Sequence, residues 1–156
     1  MKMETIQLSN KNVTLTIYIQ HPSNEMEAMK KKPGILILPG GGYEFCSDRE
    51  GEPIALAYMK AGFNAFVLKY SLKENAKFPR PLNDAEEALA LIRKKANEWY
   101  VYENKIACIW AITFNDVDIW EDKENNCSLY IHRIATNPEF RGNNFVENII
   151  KWAKKF

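Results

Sequence analysis

With 156 residues, 46% hydrophobic and 26% charged, the chain has the composition of one ordinary α/β-sized domain and too little length for two complete enzyme domains. Its 21 basic and 20 acidic side chains leave a net charge of +1, and the densest basic stretch, 29–32, reads as a solvated loop; both argue against a nucleic-acid or membrane-surface partner. No apolar run approaches the roughly 18 to 20 residues of a membrane span, and the N-terminus lacks the order of a signal peptide, so a cytoplasmic protein is expected. Cys46, Cys108 and Cys127 are odd in number and show no C-x-x-C spacing, which predicts reduced thiols without a disulfide framework or a zinc site.

In chain order, residues 13–20 (Val-Thr-Leu-Thr-Ile-Tyr-Ile-Gln) alternate with period two and predict an early or edge strand. Residues 21–32 read as a polar loop. The apolar run 35–38 stops at Pro39-Gly40-Gly41-Gly42, the pattern of a strand buried on both faces and ended by a flexible loop. A helix is predicted over 52–61, closed by Gly62, followed by a buried strand over 64–70. After a loop with two prolines, Asn83 or Asp84 is expected to cap a helix over 85–99 with an apolar stripe at Ala88, Leu89, Leu91, Ile92 and Ala96. This βαβ rhythm predicts a parallel sheet. Beyond it, a long apolar strand over 105–114, with Cys108 in the core, and a second strand over 129–135 have no helix between them and predict an antiparallel pair. Residues 145–156 close the chain at helical spacing. The expected architecture is a single α/β domain over 1–156, three-layer-like, with a mixed, mainly parallel sheet and an antiparallel C-terminal strand pair.

A glycine run directly after a buried strand lets backbone amides approach a ligand closely, and such donors can hold the negative charge that develops in acyl transfer. Pro39-Gly40-Gly41-Gly42-Tyr43 fits that loop, with Tyr43 and Glu44 as candidate lining residues. Residues 5–106 resemble the N-terminal half of an α/β-hydrolase of the small esterase or carbohydrate deacetylase type, which makes Gly40, Gly41 and Gly42 an expected oxyanion loop. In that family the strand beginning like Lys105-Ile106-Ala107 ends in Gly-x-Ser-x-Gly. Here it continues as Cys108-Ile109-Trp110, no Gly-x-Ser-x-Gly occurs anywhere, and the triad's acid and histidine are expected later than this sequence reaches. Ser47 and Ser71 have no sequence-local base, and His21 lies on a polar loop, so no catalytic residue is assigned.

A strand, a turn carrying Arg-Gly, then a helix is a phosphate-binding arrangement, because free helix-start amides and the helix dipole both favour an anion. Residues 129–145 fit it, and 107–156 resemble the acetyl-CoA motif of GNAT N-acetyltransferases. The resemblance implies a loop of Arg141, Gly142, Asn143, Asn144 and Phe145, with Asn144 and Val146 standing where the family carries small residues, and acetyl-CoA as a possible ligand. His132 is a lone strand histidine that reads as structural.

The two resemblances meet at 102–107. The leading expectation is a composite α/β protein, engineered or rearranged, with no complete catalytic site. The alternatives are an acetyl-CoA or anion binder with weak acetyltransferase activity, and an esterase-related hydrolase lacking its own nucleophile. An unpaired strand edge would also permit a homodimer.

Overall fold

The computed structural model describes residues 1–23, 25, 30–110, 112–113 and 130–131. The chain divides into two compact units, Met1–Trp110 and Ala111–Phe156. In the first unit, strands β1 (Lys2–Gln7), β2 (Thr14–Ile19), β3 (Lys32–Leu38), β4 (Asn64–Lys69) and β5 (Val101–Trp110) form one sheet in the order β1-β2-β4-β3-β5. Helix α1 (Glu52–Lys60) links β3 to β4, and α2 (Arg80–Lys94) links β4 to β5. The inner run β4-β3-β5 is parallel, while β1 and β2 join antiparallel, so the mixed α/β sheet is the expected one.

Period-two alternation sorts the strand side chains onto two faces. Leu15, Ile17 and Ile19 of β2, Leu36 of β3, and Phe66 and Leu68 of β4 pack with Ala88 and Ile92 of α2 and with Trp99. Tyr18, Ile35, Ile37, Ala65 and Val67 face the other way, onto Ala55 and Met59 of α1. One helix therefore covers each face of the sheet, which is why β3 and β4 read as unbroken apolar runs.

The segment expected as an early or edge strand over 13–20 contains β2, an interior strand paired with β1 on one side and β4 on the other. Strand β1 takes the edge; its mostly exposed Lys-Met-Glu-Thr-Ile-Gln carries little hydrophobic pattern. Gly62 follows α1 at φ 94°, as the expected cap. Helix α2 starts at Arg80 rather than 85, because Pro81 lies in its first turn, where a missing amide hydrogen costs no helical bond. It ends at Lys94 rather than 99, and Tyr100 at φ 53° turns the chain so that Trp99 enters the core. Cys108, expected in the core, is exposed on β5, the outer strand of this sheet. Asn64 is fully buried and satisfied: its Oδ1 accepts the Gln20 amide at 3.0 Å and its Nδ2 donates to Trp99 O at 2.9 Å.

In the second unit, β6 (Ile112–Thr113) and β7 (Tyr130–Ile131) pair antiparallel, with Ile112 opposite Ile131 and Thr113 opposite Tyr130. That is the expected C-terminal pair, although it forms its own two-stranded sheet instead of extending the five-stranded one. The helix expected over 145–156 lies outside the described residues. Among the described residues, no helix is long and apolar enough to cross a membrane.

Candidate functional site

Strands β3 and β4 run parallel, so the segments that follow them, 39–47 and 70–79, leave the same edge of the sheet. The carboxyl ends of parallel strands are where α/β sheets place ligands. The two segments are tied together: the Lys73 amide donates to Tyr43 O at 2.7 Å, and the Tyr43 ring meets Tyr70 edge-on with centroids 5.9 Å apart.

Three consecutive residues of the glycine loop have positive φ: Gly41 at 142°, Gly42 at 61° and Tyr43 at 67°. At Gly41 the requirement is absolute, since a Cβ there would lie 2.1 Å from the carbonyl oxygen of Phe45. The Gly40 amide donates to Glu50 Oε2 at 2.7 Å, and Gly40 O accepts the Ser47 amide at 2.8 Å. Gly41 O accepts the amides of Glu44 and Phe45 at 3.0 and 3.3 Å. Among the described residues, the amides of Gly41 and Gly42 meet no acceptor.

Their directions follow from the planar trans peptide, in which an N–H points opposite to the carbonyl of the preceding residue. Gly40 O points to Ser47, so Gly41 N–H points away from it. Gly41 O points into the turn that ends at Phe45, so Gly42 N–H points out of that turn. Two neighbouring donors are thus turned outward at the carboxyl edge of the sheet, an arrangement suited to a carbonyl oxygen or an anion. The three expected oxyanion residues therefore differ: Gly40 has spent its donor on Glu50, and the free donors belong to Gly41 and Gly42.

Among the described residues, the side chains near the loop offer no nucleophile. Ser71 is fully buried, with its hydroxyl accepting Asn10 Nδ2 at 3.0 Å and its amide donating to the buried Asp84 at 2.8 Å. Ser47 is buried as well. Cys46 is half-buried, and burial pushes its thiol pKa above the ordinary value, which keeps it from the reactive thiolate. His21 follows β2, which runs antiparallel to β4, and so lies at the opposite edge of the sheet, edge-on to Tyr100 at 6.5 Å. Tyr43 is half-buried, whereas Glu44 is exposed. The expected acetyl-CoA turn, Arg141, Gly142, Asn143, Asn144 and Phe145, lies outside the described residues, as does His132.

Three residues that hold this edge together were not singled out as site residues by the sequence: Glu50, Tyr70 and, at α2, Asp84 in its true role. Tyr70 is 8% exposed, and its hydroxyl donates to Pro39 O at 2.8 Å. Burial, then the neighbouring Cys46 and Glu50, push its phenol up to about 12, so it stays a donor at any ordinary pH.

Among solved structures, the chain is similar to MGS-M1, an α/β-hydrolase enzyme from a Medee basin deep-sea metagenome library, with 53% identity and a TM-score of 0.67 over 69% of this chain and 45% of that one. It is also similar to the carboxylesterase Cest-2923 from Lactobacillus plantarum WCFS1, with 27% identity and a TM-score of 0.65 over 70% of this chain and 42% of that one. An acetyl ester-xyloside bifunctional hydrolase from Caldicellulosiruptor lactoaceticus matches with 29% identity and a TM-score of 0.58 over 70% of this chain and 42% of that one. A curated relative, endo-1,4-beta-xylanase B from Butyrivibrio fibrisolvens, is 33% identical over 62% of this chain and 16% of its own length. The chain spans less than half the length of each of these proteins. The BD-FAE family matches residues 17–111, from β2 through the glycine loop and both helices to the end of β5, and the chain belongs to that family.

Proposed function

We propose that this chain provides the oxyanion side of an esterase-type site, receiving the carbonyl oxygen of an acyl ester on the amides of Gly41 and Gly42. The observation that carries this reading is the pair of outward-turned amides without an acceptor among the described residues, at the carboxyl edge of β3 and β4. The similarity to esterases and to an acetyl-ester hydrolase supports the substrate class. Because the 156 residues contain no Gly-x-Ser-x-Gly, hydrolysis is expected only where a nucleophile is supplied to the site, and the chain alone acts as a carbonyl binder. The composite origin and the acetyl-CoA turn at Arg141 to Phe145 rest on sequence pattern alone, and the hydrolase relatives lend them no support.

The test is an amide-resolved NMR titration with phenyl acetate, alongside an esterase assay and an organophosphonate label. Selective shifts at Gly41 and Gly42, with no serine-dependent turnover above background and no labelled serine, are the expected outcome. Unmoved glycine amides would remove the carbonyl site, and stoichiometric labelling of a serine would overturn the lack of a nucleophile.

A further inference from the structure

The two free amides are useful only if the loop presents them in a fixed direction before a ligand arrives, since donors that must first be organised lose much of their value. Glycines at 40, 41 and 42 supply no such stiffness themselves, because glycine explores more backbone conformations than any other residue. The stiffness comes from outside the run. The Pro39–Gly40 peptide is held at both ends: its carbonyl accepts the Tyr70 hydroxyl at 2.8 Å, and its N–H donates to Glu50 Oε2 at 2.7 Å. The next peptide is held on its carbonyl side by Ser47.

Glu50 reaches Gly40 from a 3-10 turn, Asp48–Glu50, which is itself fixed: the Glu50 amide donates to Ser47 O at 3.1 Å and the Gly51 amide to Asp48 O at 3.3 Å. Gly51 is buried, and a Cβ on it would already touch Val67 of β4 at 3.6 Å. The turn that carries Glu50 thus leads into a residue packed beside Val67 of β4, and its carboxylate grips the loop that leaves β3. A charged acceptor makes a stronger bond to an amide than a neutral one.

From this geometry we infer that Glu50 is a positioning residue for the oxyanion loop, a carboxylate that locks the Pro39–Gly40 peptide so that the amides of Gly41 and Gly42 face outward before a ligand arrives. It touches no substrate in this role; it acts through Gly40. The inference rests on the proposed carbonyl site, and its test is arranged so that the two can fail separately.

The full chain is compared with Glu50→Ala, Glu50→Gln and Asp48→Asn, using backbone-resolved hydrogen exchange and titration with sodium acetate as the oxyanion probe. Asp48 sits in the same turn, but its carboxylate lies 3.6 Å from Lys69 Nζ and is exposed, so this variant removes the same charge without touching the lock. Glu50→Ala is expected to speed exchange of the Gly40 amide about tenfold, the loss of one charge-assisted bond. It should also weaken the acetate-induced shifts of Gly41 and Gly42 by roughly threefold or more in apparent Kd. Glu50→Gln, which keeps an acceptor oxygen, should recover most of both effects, and Asp48→Asn should show neither. Should Glu50→Ala fail to fold, Glu50→Asp takes its place: its carboxylate is one methylene too short to keep the 2.7 Å bond to the Gly40 amide, so it should speed Gly40 exchange, whereas Asp48→Asn should not. Unchanged Gly40 exchange in Glu50→Ala or Glu50→Asp, or the same weakening in Asp48→Asn, would overturn the positioning role. If acetate leaves Gly41 and Gly42 unmoved in the parent chain, the carbonyl site falls instead, and Gly40 exchange alone decides whether Glu50 holds the loop.

Discussion

Tyr70 illustrates how one buried polar atom can shape a site it does not line. Its hydroxyl is the donor that satisfies Pro39 O, and its ring is the surface against which Tyr43 packs. Replacing it by Phe keeps the packing and leaves a buried carbonyl without a partner, which costs about 1–2 kcal/mol. The pH dependence of that cost follows from the phenol being pushed to about 12 by burial, against an ordinary value near 10. The folded protein holds the neutral phenol more tightly than the unfolded chain does. The stabilisation Tyr70 contributes is therefore complete below pH 10, and is lost as pH rises toward 12. The difference in urea midpoint between the parent and Tyr70→Phe should be constant from pH 7 to 9.5 and shrink between pH 10 and 11.5. Every other titratable group is common to both proteins and cancels in the difference. A gap that does not narrow would contradict the raised phenol.

At the scale of elements, α2 is joined to the strands by two carboxylates. Asp84, buried within the helix's second turn, accepts the Ser71 amide just beyond β4 at 2.8 Å. Glu87, one turn on, accepts both the amide and the hydroxyl of Ser9 in the β1–β2 turn, at 2.9 and 2.7 Å. Asp84→Ala strands the Ser71 amide in the interior and should destabilise the first unit by about 2–3 kcal/mol in urea unfolding. The half-buried Glu87, whose bonds to Ser9 lie at the surface, should cost under about 1 kcal/mol when replaced by Ala. Similar losses for the two would show that the burial of Asp84 adds nothing. Such links mark the limit of what the sequence discloses. The cores of β2, β3 and β4 are legible because burial on both faces or on one writes itself as an apolar run or a period-two alternation. The glycine loop is legible because three successive glycines after such a run have few other uses. Strand β1 leaves no comparable trace, since an edge strand with exposed side chains has no face to encode. The first turn of α2 hides behind Pro79 and Pro81, which read as loop although a helix accepts Pro81 at its start. Asp84 carries the signature of an N-cap but is used as a buried acceptor. Glu50 is still less visible, because a bond to an amide ten residues earlier depends on how the chain returns and not on any local pattern.

For the molecule as a whole, the question is how a chain spanning less than half the length of its solved relatives closes a core. In the first unit the answer lies in the layering. Both buried clusters are built from residues between Leu8 and Val101, one on each face of the same sheet, with Phe66, Leu36 and Leu68 fully enclosed at its centre. Burial falls off sharply toward β1, whose Met3 is 57% exposed and whose Lys2 and Glu4 pair on the surface at 2.8 Å, a charged edge of the kind that discourages strand addition. Amides opened by local fraying exchange far faster than those released only by global unfolding. Hydrogen exchange should therefore rank the sheet from its centre outward. The paired amides of β4 and of the β3 centre should be slowest and share one free energy equal to that of urea unfolding. Those of β2 toward β4 should follow closely. The β1 amides bonded to β2 should exchange about a hundredfold faster or more. That ranking would locate the stabilising free energy in the β2-β4-β3 core under α1 and α2, and would place the glycine loop, rooted at the end of β3, on the most persistent part of the unit. Equal protection of β1 and β4 would mean instead that the sheet opens only as one body, with the edge as firmly held as the centre.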